Sequence, residues 1–268
     1  MALKFTGVVK RYRRCAALDG LDLAVPRGSI CGFVGINGAG KTTAMAVALG
    51  LLRPTAGVVD LLGEGAFDPI RHLGRVALLP QDSRFSPYAR VEELLAFYCR
   101  LQQISGAAVA RAVDEAIALA HLADRRRSPI RTLSHGMVRR LAIAQAFLGN
   151  PELVLLDEPM NGLDPREAVR IRDLIVRRRG RQTIVISSHN LADIEALCDN
   201  VAFIERGRCV RQGALDAITR RASQMRYLCE AAIGMPAAGD LPGLSVALEA
   251  GGTVLAVSYG ADRALPDV

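Results

Sequence analysis

The stretch Gly35-Ile36-Asn37-Gly38-Ala39-Gly40-Lys41-Thr42 restricts this chain more than any other. It matches the pattern G-x-x-x-x-G-K-[ST]. An apolar run at 31–34 leads into it, and a helical pattern leaves it. Glycines let successive backbone N–H groups turn inward around phosphate oxygens, and a helix N-terminus adds the positive end of its dipole. In that arrangement Lys41 reaches the β- and γ-phosphates of a nucleotide, and the Thr42 hydroxyl ligates Mg2+. The bland alternative is a glycine-rich turn carrying a surface lysine. The strand–loop–helix setting argues against it.

Two further signals fit such a site. Leu153-Val154-Leu155-Leu156-Asp157-Glu158 is an apolar strand ending in two carboxylates. Asp157 can hold the water shell of Mg2+ beside the phosphate loop. Glu158 then faces the γ-phosphate, where a general base or water-orienting group is needed. Adjacent acids can also cap a helix. Downstream of a phosphate loop, the catalytic reading is the stronger one. His189 follows another strand, in Ile186-Ser187-Ser188-His189. Its imidazole can hydrogen-bond a phosphate oxygen or hold the attacking water, or it can serve as a helix N-terminal group. His72 and His121 lack a comparable setting and read as structural.

Short apolar runs predict strands at 5–9, 21–25, 30–34, 58–62, 75–79, 153–156 and 183–187. A closing hairpin around Gly207 joins 201–204 to 208–212. Helices are predicted at 42–52, ended by Pro54, and at 166–178 and 191–197. From 91 to about 149 the apolar positions recur with helical spacing: Leu94, Leu95, Tyr98 and Leu101, then Val113, Ile117 and Ala120, then Leu141, Ala144 and Leu148. Fully apolar strands alternating with helices imply a mainly parallel sheet covered on both faces, with a helical subdomain at about 82–150 inserted into it.

Charge and composition divide the chain of 268 residues near position 222. The first 221 residues carry +10 and the remainder −3, giving +7 in all. The expected domains are therefore 1–221 and a small appendage at 222–268, with strands at 226–231, 245–249 and 253–258 and a turn at Gly251-Gly252. The arginine clusters at Arg11, Arg13 and Arg14, at 125–127, and at 177–179 with Arg181 read as solvated faces. Their sharper reading is contact with anionic head groups or an acidic partner. Trp is absent and aromatics make up 4%, which argues against a stacking platform for single-stranded nucleic acid. No helix-turn-helix, zinc-finger or RNA-binding aromatic motif is present, so no nucleic-acid partner is expected. No apolar run approaches the ~20 residues that cross a bilayer. The N-terminus lacks a signal-peptide core, and the six cysteines show no metal spacing. They read as small buried hydrophobes in a reducing, cytosolic compartment.

Taken together, residues 3–221 resemble the nucleotide-binding subunit of ATP-binding-cassette (ABC) transporters. The resemblance rests on short motifs in one order. Besides the phosphate loop, the acidic pair and His189, Leu79-Pro80-Gln81 resembles the family's glutamine loop. Asn161-Gly162-Leu163-Asp164 resembles the loop that crosses its dimer interface, and Leu133-Ser134-His135-Gly136-Met137 its signature segment. The resemblance implies an α/β fold with a P-loop NTPase core. That core would have a mainly parallel sheet, an antiparallel N-terminal β part, the inserted helical subdomain and the C-terminal appendage. It implies ATP and Mg2+ as cofactors. Gly35, Asn37, Gly38, Gly40, Lys41, Thr42 and Thr43 would hold the nucleotide, Tyr12 would stack on adenine, and Thr42, Gln81 and Asp157 would hold the metal. Glu158 and His189 would be catalytic.

The signature segment departs from the family's Leu-Ser-Gly-Gly-Gln: His135 replaces a glycine and Met137 an amide. Ser134 and Gly136 survive and would contact the γ-phosphate from a second copy or a homologous cassette. Reduced but real ATPase activity is therefore expected. The resemblance further implies a separate transmembrane permease, docked on the helical subdomain around 82–98. It implies a peripheral position on the cytoplasmic face of the membrane, and kinship with exporters of drugs, polymers or lipids. The competing readings are a soluble cassette ATPase acting on nucleic acid or ribosomes and a P-loop kinase. The first generally carries two cassettes or a long coiled coil. The second would need an acceptor region and neither the Ser134–Gly136 segment nor His189.

Overall fold

A strand that is buried at every position must be covered on both faces, and three strands here meet that condition along their whole length: β3 (Ile30–Val34), β6 (Leu153–Leu156) and β7 (Thr183–Ser188). In the computed structural model they are neighbours in one six-stranded sheet. The structure describes residues 1–13 and 15–219, with strands β10 (Gln224–Leu228), β11 (Leu244–Glu249) and β12 (Val254–Tyr259). With β5 (Val76–Leu79), β8 (Asn200–Glu205) and β9 (Arg208–Ala214), the sheet order is β5-β6-β7-β3-β8-β9. Pairs β5–β6, β6–β7, β7–β3 and β3–β8 are parallel. Only Arg206 and Gly207 join β8 to β9, both with positive φ, as a tight hairpin turn requires.

The N-terminal β part is a second, antiparallel sheet, β2 (Cys15–Val25), β1 (Leu3–Tyr12), β4 (Ala56–Leu61). β1 and β2 run further than their apolar cores predict. Bulges interrupt their register, and residues near the turn are exposed, so no alternation marks that end. Arg75 ties the segment after β4 to the core sheet, holding Glu64 at 2.7 Å and Glu152 at 2.6 Å.

Helix α1 (Lys41–Ala48) is shorter than expected. The chain leaves the helix at Leu49 and takes a left-handed turn at Gly50, so Gly50 rather than Pro54 ends it. Helices α2 (Val91–Leu101), α3 (Ala107–Ala120) and α4 (His135–Ala146) fall between the adjacent strands β5 and β6. They bury Leu95, Cys99, Ile117, Ala120, Leu141 and Leu148 in a core of their own. Helices α5 (Pro165–Val176) and α6 (Leu191–Leu197) complete the core layers. Contacts group the chain into two compact units, Met1–Gln212 and Gly213–Val268. The second contains a short helix, α7 (Leu215–Thr219), that the sequence did not signal, and an antiparallel sheet β10-β12-β11. The proposed Gly251-Gly252 turn, residues 229–231 of the expected strand, Arg14 and Cys229 lie outside the described residues.

The arginine clusters lie on exposed or half-exposed faces, as expected, and some also make surface contacts: Arg126 bridges Glu92 and Asp114, Arg178 binds Asn150, and Arg179 donates to the Leu197 carbonyl. One expectation needs correction: the cysteines are not uniformly buried. Cys31, Cys99 and Cys198 are, but Cys15 is exposed on the hairpin edge. Burial pushes the Cys31 thiol up to about 12 and raises Cys198 and Cys99 too. At pH 8 the thiolate, the reactive form, is therefore scarce at Cys31. Brief alkylation of the native protein is expected to label Cys15 well before Cys31, Cys99 or Cys198. Mass mapping of labelled peptides checks this, and early labelling of Cys31 would contradict the burial.

Candidate functional site

Register places the site. Leu79 pairs with Leu156, Leu156 with Ile186, and Val34 with Ser188. The residues just beyond these pairs are Gln81, the Asp157-Glu158 pair, His189 and the phosphate loop. All therefore emerge at one sheet edge, where ligands bind in open parallel sheets. A cleft of about 280 Å³ opens there. Asn37, Gly38, Gly40, Lys41, Thr42 and Thr43 line one side, and Gln81, Glu158 and Ala17 of β2 complete it. Gly40 has no substitute: its φ is +109°, and an added Cβ would stand 2.6 Å from the Ala17 carbonyl oxygen.

Lys41 and Glu158 are both buried. Lys41 Nζ donates to the Gly35 carbonyl at 2.6 Å and lies 3.3 Å from Glu158 Oε1. The other carboxylate oxygen, Oε2, is 3.0 Å from His189 Nδ1. Glu158 thus stands between a cation and a half-exposed imidazole. Its backbone is left-handed, with φ +46°, a conformation that persists only when neighbours hold it. Ser187 is one such neighbour. Its Oγ accepts from Glu158 N at 2.8 Å and donates to Asp157 Oδ1 at 2.5 Å. Arg139 of α4 is the other, donating to the Glu158 carbonyl at 2.7 Å. Burial pulls the Arg139 guanidinium below its ordinary pKa, against the opposite pull of Asp157, Asp82 and Glu158. The acids do not cap a helix: Asp164 caps α5, accepting from Glu167 N, and Asn190 caps α6.

The remaining predicted residues lie elsewhere. Gly35 closes β3, and its carbonyl holds Lys41. An adjoining cleft of about 180 Å³ brings Glu158 and His189 together with Asn161 and Gly162. Ser134 caps α4, its Oγ accepting from Met137 N at 3.2 Å. Gly136 is buried against Glu167, whose Cγ would lie 2.7 Å from an added Cβ. Neither Ser134 nor Gly136 lines the Lys41 cleft, and neither does Tyr12, half-exposed at the end of β1 with Lys10 Nζ over its ring. The sequence reading missed Ser187, Ala17 and Arg139. A polar residue closing an otherwise apolar strand was the available signal for Ser187. Ala17 carried none, since the approach of β2 to the loop is tertiary. Arg139 could be noticed only as a cation beside the apolar run 141–144.

A glycine-rich loop from a parallel strand to a helix, facing an acidic residue delivered by another strand of the same sheet, defines a P-loop nucleoside triphosphatase. The family described as ABC transporter matches residues 18–161. The Nod factor export ATP-binding protein I of Burkholderia orbicola is 36% identical over 221 residues, covering 81% of this chain and 72% of that protein. The bacitracin transport ATP-binding protein BcrA of Bacillus licheniformis is 36% identical over 225 residues, 82% of this chain and 72% of that one. Among solved structures, cbiO1 from Clostridium perfringens, part of the ABC transporter complex cbiONQ, is 27% identical with a TM-score of 0.72, over 81% of this chain and 90% of that one. The chain belongs to the ABC transporter family, binds nucleotide as an ATP-binding cassette and is an ATPase.

Ser187→Ala would leave the Glu158 N–H and Asp157 Oδ1 without their buried partner. Stability is expected to fall by about 1–3 kcal/mol, with turnover reduced and nucleotide affinity kept. Urea unfolding and ATPase kinetics check both; an unchanged midpoint would show that the hydroxyl is dispensable.

Proposed function

We propose that this chain is the ATP-hydrolysing subunit of a membrane exporter, driving a separate transmembrane permease from its cytoplasmic face. The observation that carries this reading is the Lys41–Glu158–His189 arrangement at the mouth of the phosphate loop. The export name of the Nod factor relative supports the direction of transport. Among the described residues, no helix is long and apolar enough to cross a membrane; in this reading the transport path is supplied by a separate chain. Exposed Tyr88, Phe97 and Leu101, on and beside α2, suit a docking surface for it. Residues beyond 221 form an appendage whose division from the cassette belongs to the same proposal.

Within the site, the loop N–H groups and Lys41 hold the phosphates, with Asn37, Thr42 and Thr43 along the same wall. Tyr12 stacks on the base. The residues fit Mg2+: Thr42 and Gln81 line one cleft and carry hard oxygens, Asp157 follows β6 beside Glu158, and the buried Glu158 Oε1 makes no hydrogen bond, with the Lys41 ammonium 3.3 Å away. Bound there, Mg2+ would neutralise charge on the phosphate oxygens. Glu158 takes the proton of the attacking water, and His189 holds the carboxylate and the terminal phosphate in place. Ser134 and Gly136 stand apart from their own chain's Lys41 cleft, so a second copy or a homologous cassette supplies them, and ATP joins the two.

Glu158→Gln is expected to keep MgATP binding and to slow hydrolysis by roughly 10²–10⁴-fold. It should also accumulate a nucleotide-bound dimer, read by light scattering during an MgATP titration. Hydrolysis at the parent rate would refute the role of Glu158. A monomer at every nucleotide concentration, with permease supplied, would refute the shared site. Recovery with ribosomes or DNA, instead of a polytopic membrane protein, would favour the soluble alternative.

A further inference from the structure

Helix α4 buries two consecutive arginines in different ways. Arg140 has a carboxylate partner, Glu167, at 3.1 Å, and also donates to the carbonyls of Ala120 and His121. The hydrogen-bond partners of Arg139 are all backbone carbonyls. Its Nε donates to Pro159 at 2.9 Å, Nη1 to Gln81 at 3.0 Å and Pro80 at 3.5 Å, and Nη2 to Glu158 at 2.7 Å and Asp157 at 3.1 Å. A guanidinium carries five N–H donors, so every one is engaged.

These carbonyls come from two segments. Pro80 and Gln81 follow β5, while Asp157, Glu158 and Pro159 follow β6. The strands are neighbours, but their pairing ends at Leu79 and Leu156. Beyond that point the spacing of the two loops is no longer set by a full ladder; only the Asp157 N–H to the Leu79 carbonyl, at 2.9 Å, still joins them. Five carbonyl dipoles converging on one point repel one another unless a cation stands between them. Arg139 is that cation, and its helix belongs to neither loop. The apolar core of α2, α3 and α4 holds α4 in place independently.

We propose that Arg139 is a positioning residue for hydrolysis: it fixes the glutamine loop against the acidic pair and carries any movement of that loop to the start of α4, where Ser134 lies. Resting on the roles of Gln81 and Glu158 given above, this assigns to Arg139 no part in holding nucleotide, which the loop before α1 does. A lysine has three donors on a single point of charge and cannot reproduce the planar fork.

The test uses the full chain carrying Arg139→Gln and, separately, Arg139→Lys, with steady-state ATPase kinetics, binding of a fluorescent ATP analogue and thermal melting. Both variants are expected to lose at least about tenfold in kcat while KM and analogue affinity stay within about threefold. Added to Glu158→Gln, either variant should lower the residual rate little further, because the two act as one unit. Parental kcat in Arg139→Gln would overturn the proposal. So would joint loss of binding, turnover and melting temperature in both variants, which would mark Arg139 as a folding group alone. An additive loss in the double variant would overturn it too, by showing action outside Glu158. Parental hydrolysis in Glu158→Gln alone would instead refute the role of that acid, leaving the kcat loss of Arg139→Gln to be read through Gln81.

Discussion

In-register parallel pairing of β5, β6, β7 and β3 is the constraint on which the rest of the molecule depends. Each strand ends within about two residues of its neighbour, because β6, β7 and β3 are buried on both faces and a slip in register would displace every side chain at once. The loops that follow are therefore delivered to one edge before any of them makes a polar contact. Asp157 and Glu158, adjacent in sequence, are separated in role by what the next strand offers. Ser187, across from the strand end, engages Asp157 through its side chain and Glu158 through its backbone. That leaves the Glu158 carboxylate directed to Lys41 and His189.

Buried charge at this edge specifies geometry more than it stabilises the fold. Desolvating Lys41 and Glu158 cancels much of their attraction, so the pair contributes little net stability, but removing one partner strands the other. The same ammonium that holds Glu158 is the group a phosphate would claim. On the proposed reading a phosphate oxygen would compete with the carboxylate for Lys41, and a displaced Glu158 would still have His189 at its second oxygen. A left-handed backbone at Glu158 would relax without restraint. The hydroxyl of Ser187 and the guanidinium of Arg139 supply that restraint from opposite sides of the sheet order, one from β7 and one from the inserted helices.

How much of this was legible in the sequence follows from how local each determinant is. The phosphate loop, the apolar strand with its two acids and the strand before His189 are contiguous patterns, and the cleft brings Lys41, Thr42, Gln81 and Glu158 together. The helical insertion showed in its periodicity and the β8–β9 turn in Gly207. What stayed hidden is non-local. The length of β1 and β2 comes from pairing at an exposed, bulged edge. The end of α1 depends on the backbone at Gly50, which an apolar run through Leu52 conceals. Ala17 touches the site only because the antiparallel sheet leans on Gly40. Arg139 reads its partners through carbonyl oxygens, which carry no side-chain signature at all.

The altered signature segment divides along the same line between what the fold requires and what it does not. Gly136 is required within the chain: Glu167, in the first turn of α5, fills the space a side chain would take and binds Arg140 and Arg170. Because Asp164, the last residue of the Asn-Gly-Leu-Asp loop, caps that same helix, the loop and the signature segment are joined through α5 and Glu167. His135 is exposed and leans on nothing that demands a glycine, while Met137 turns its side chain into the helical core. The fold therefore tolerates both departures from Leu-Ser-Gly-Gly-Gln. Their consequences fall on the exposed surface beside Ser134, where an imidazole stands next to the capping serine.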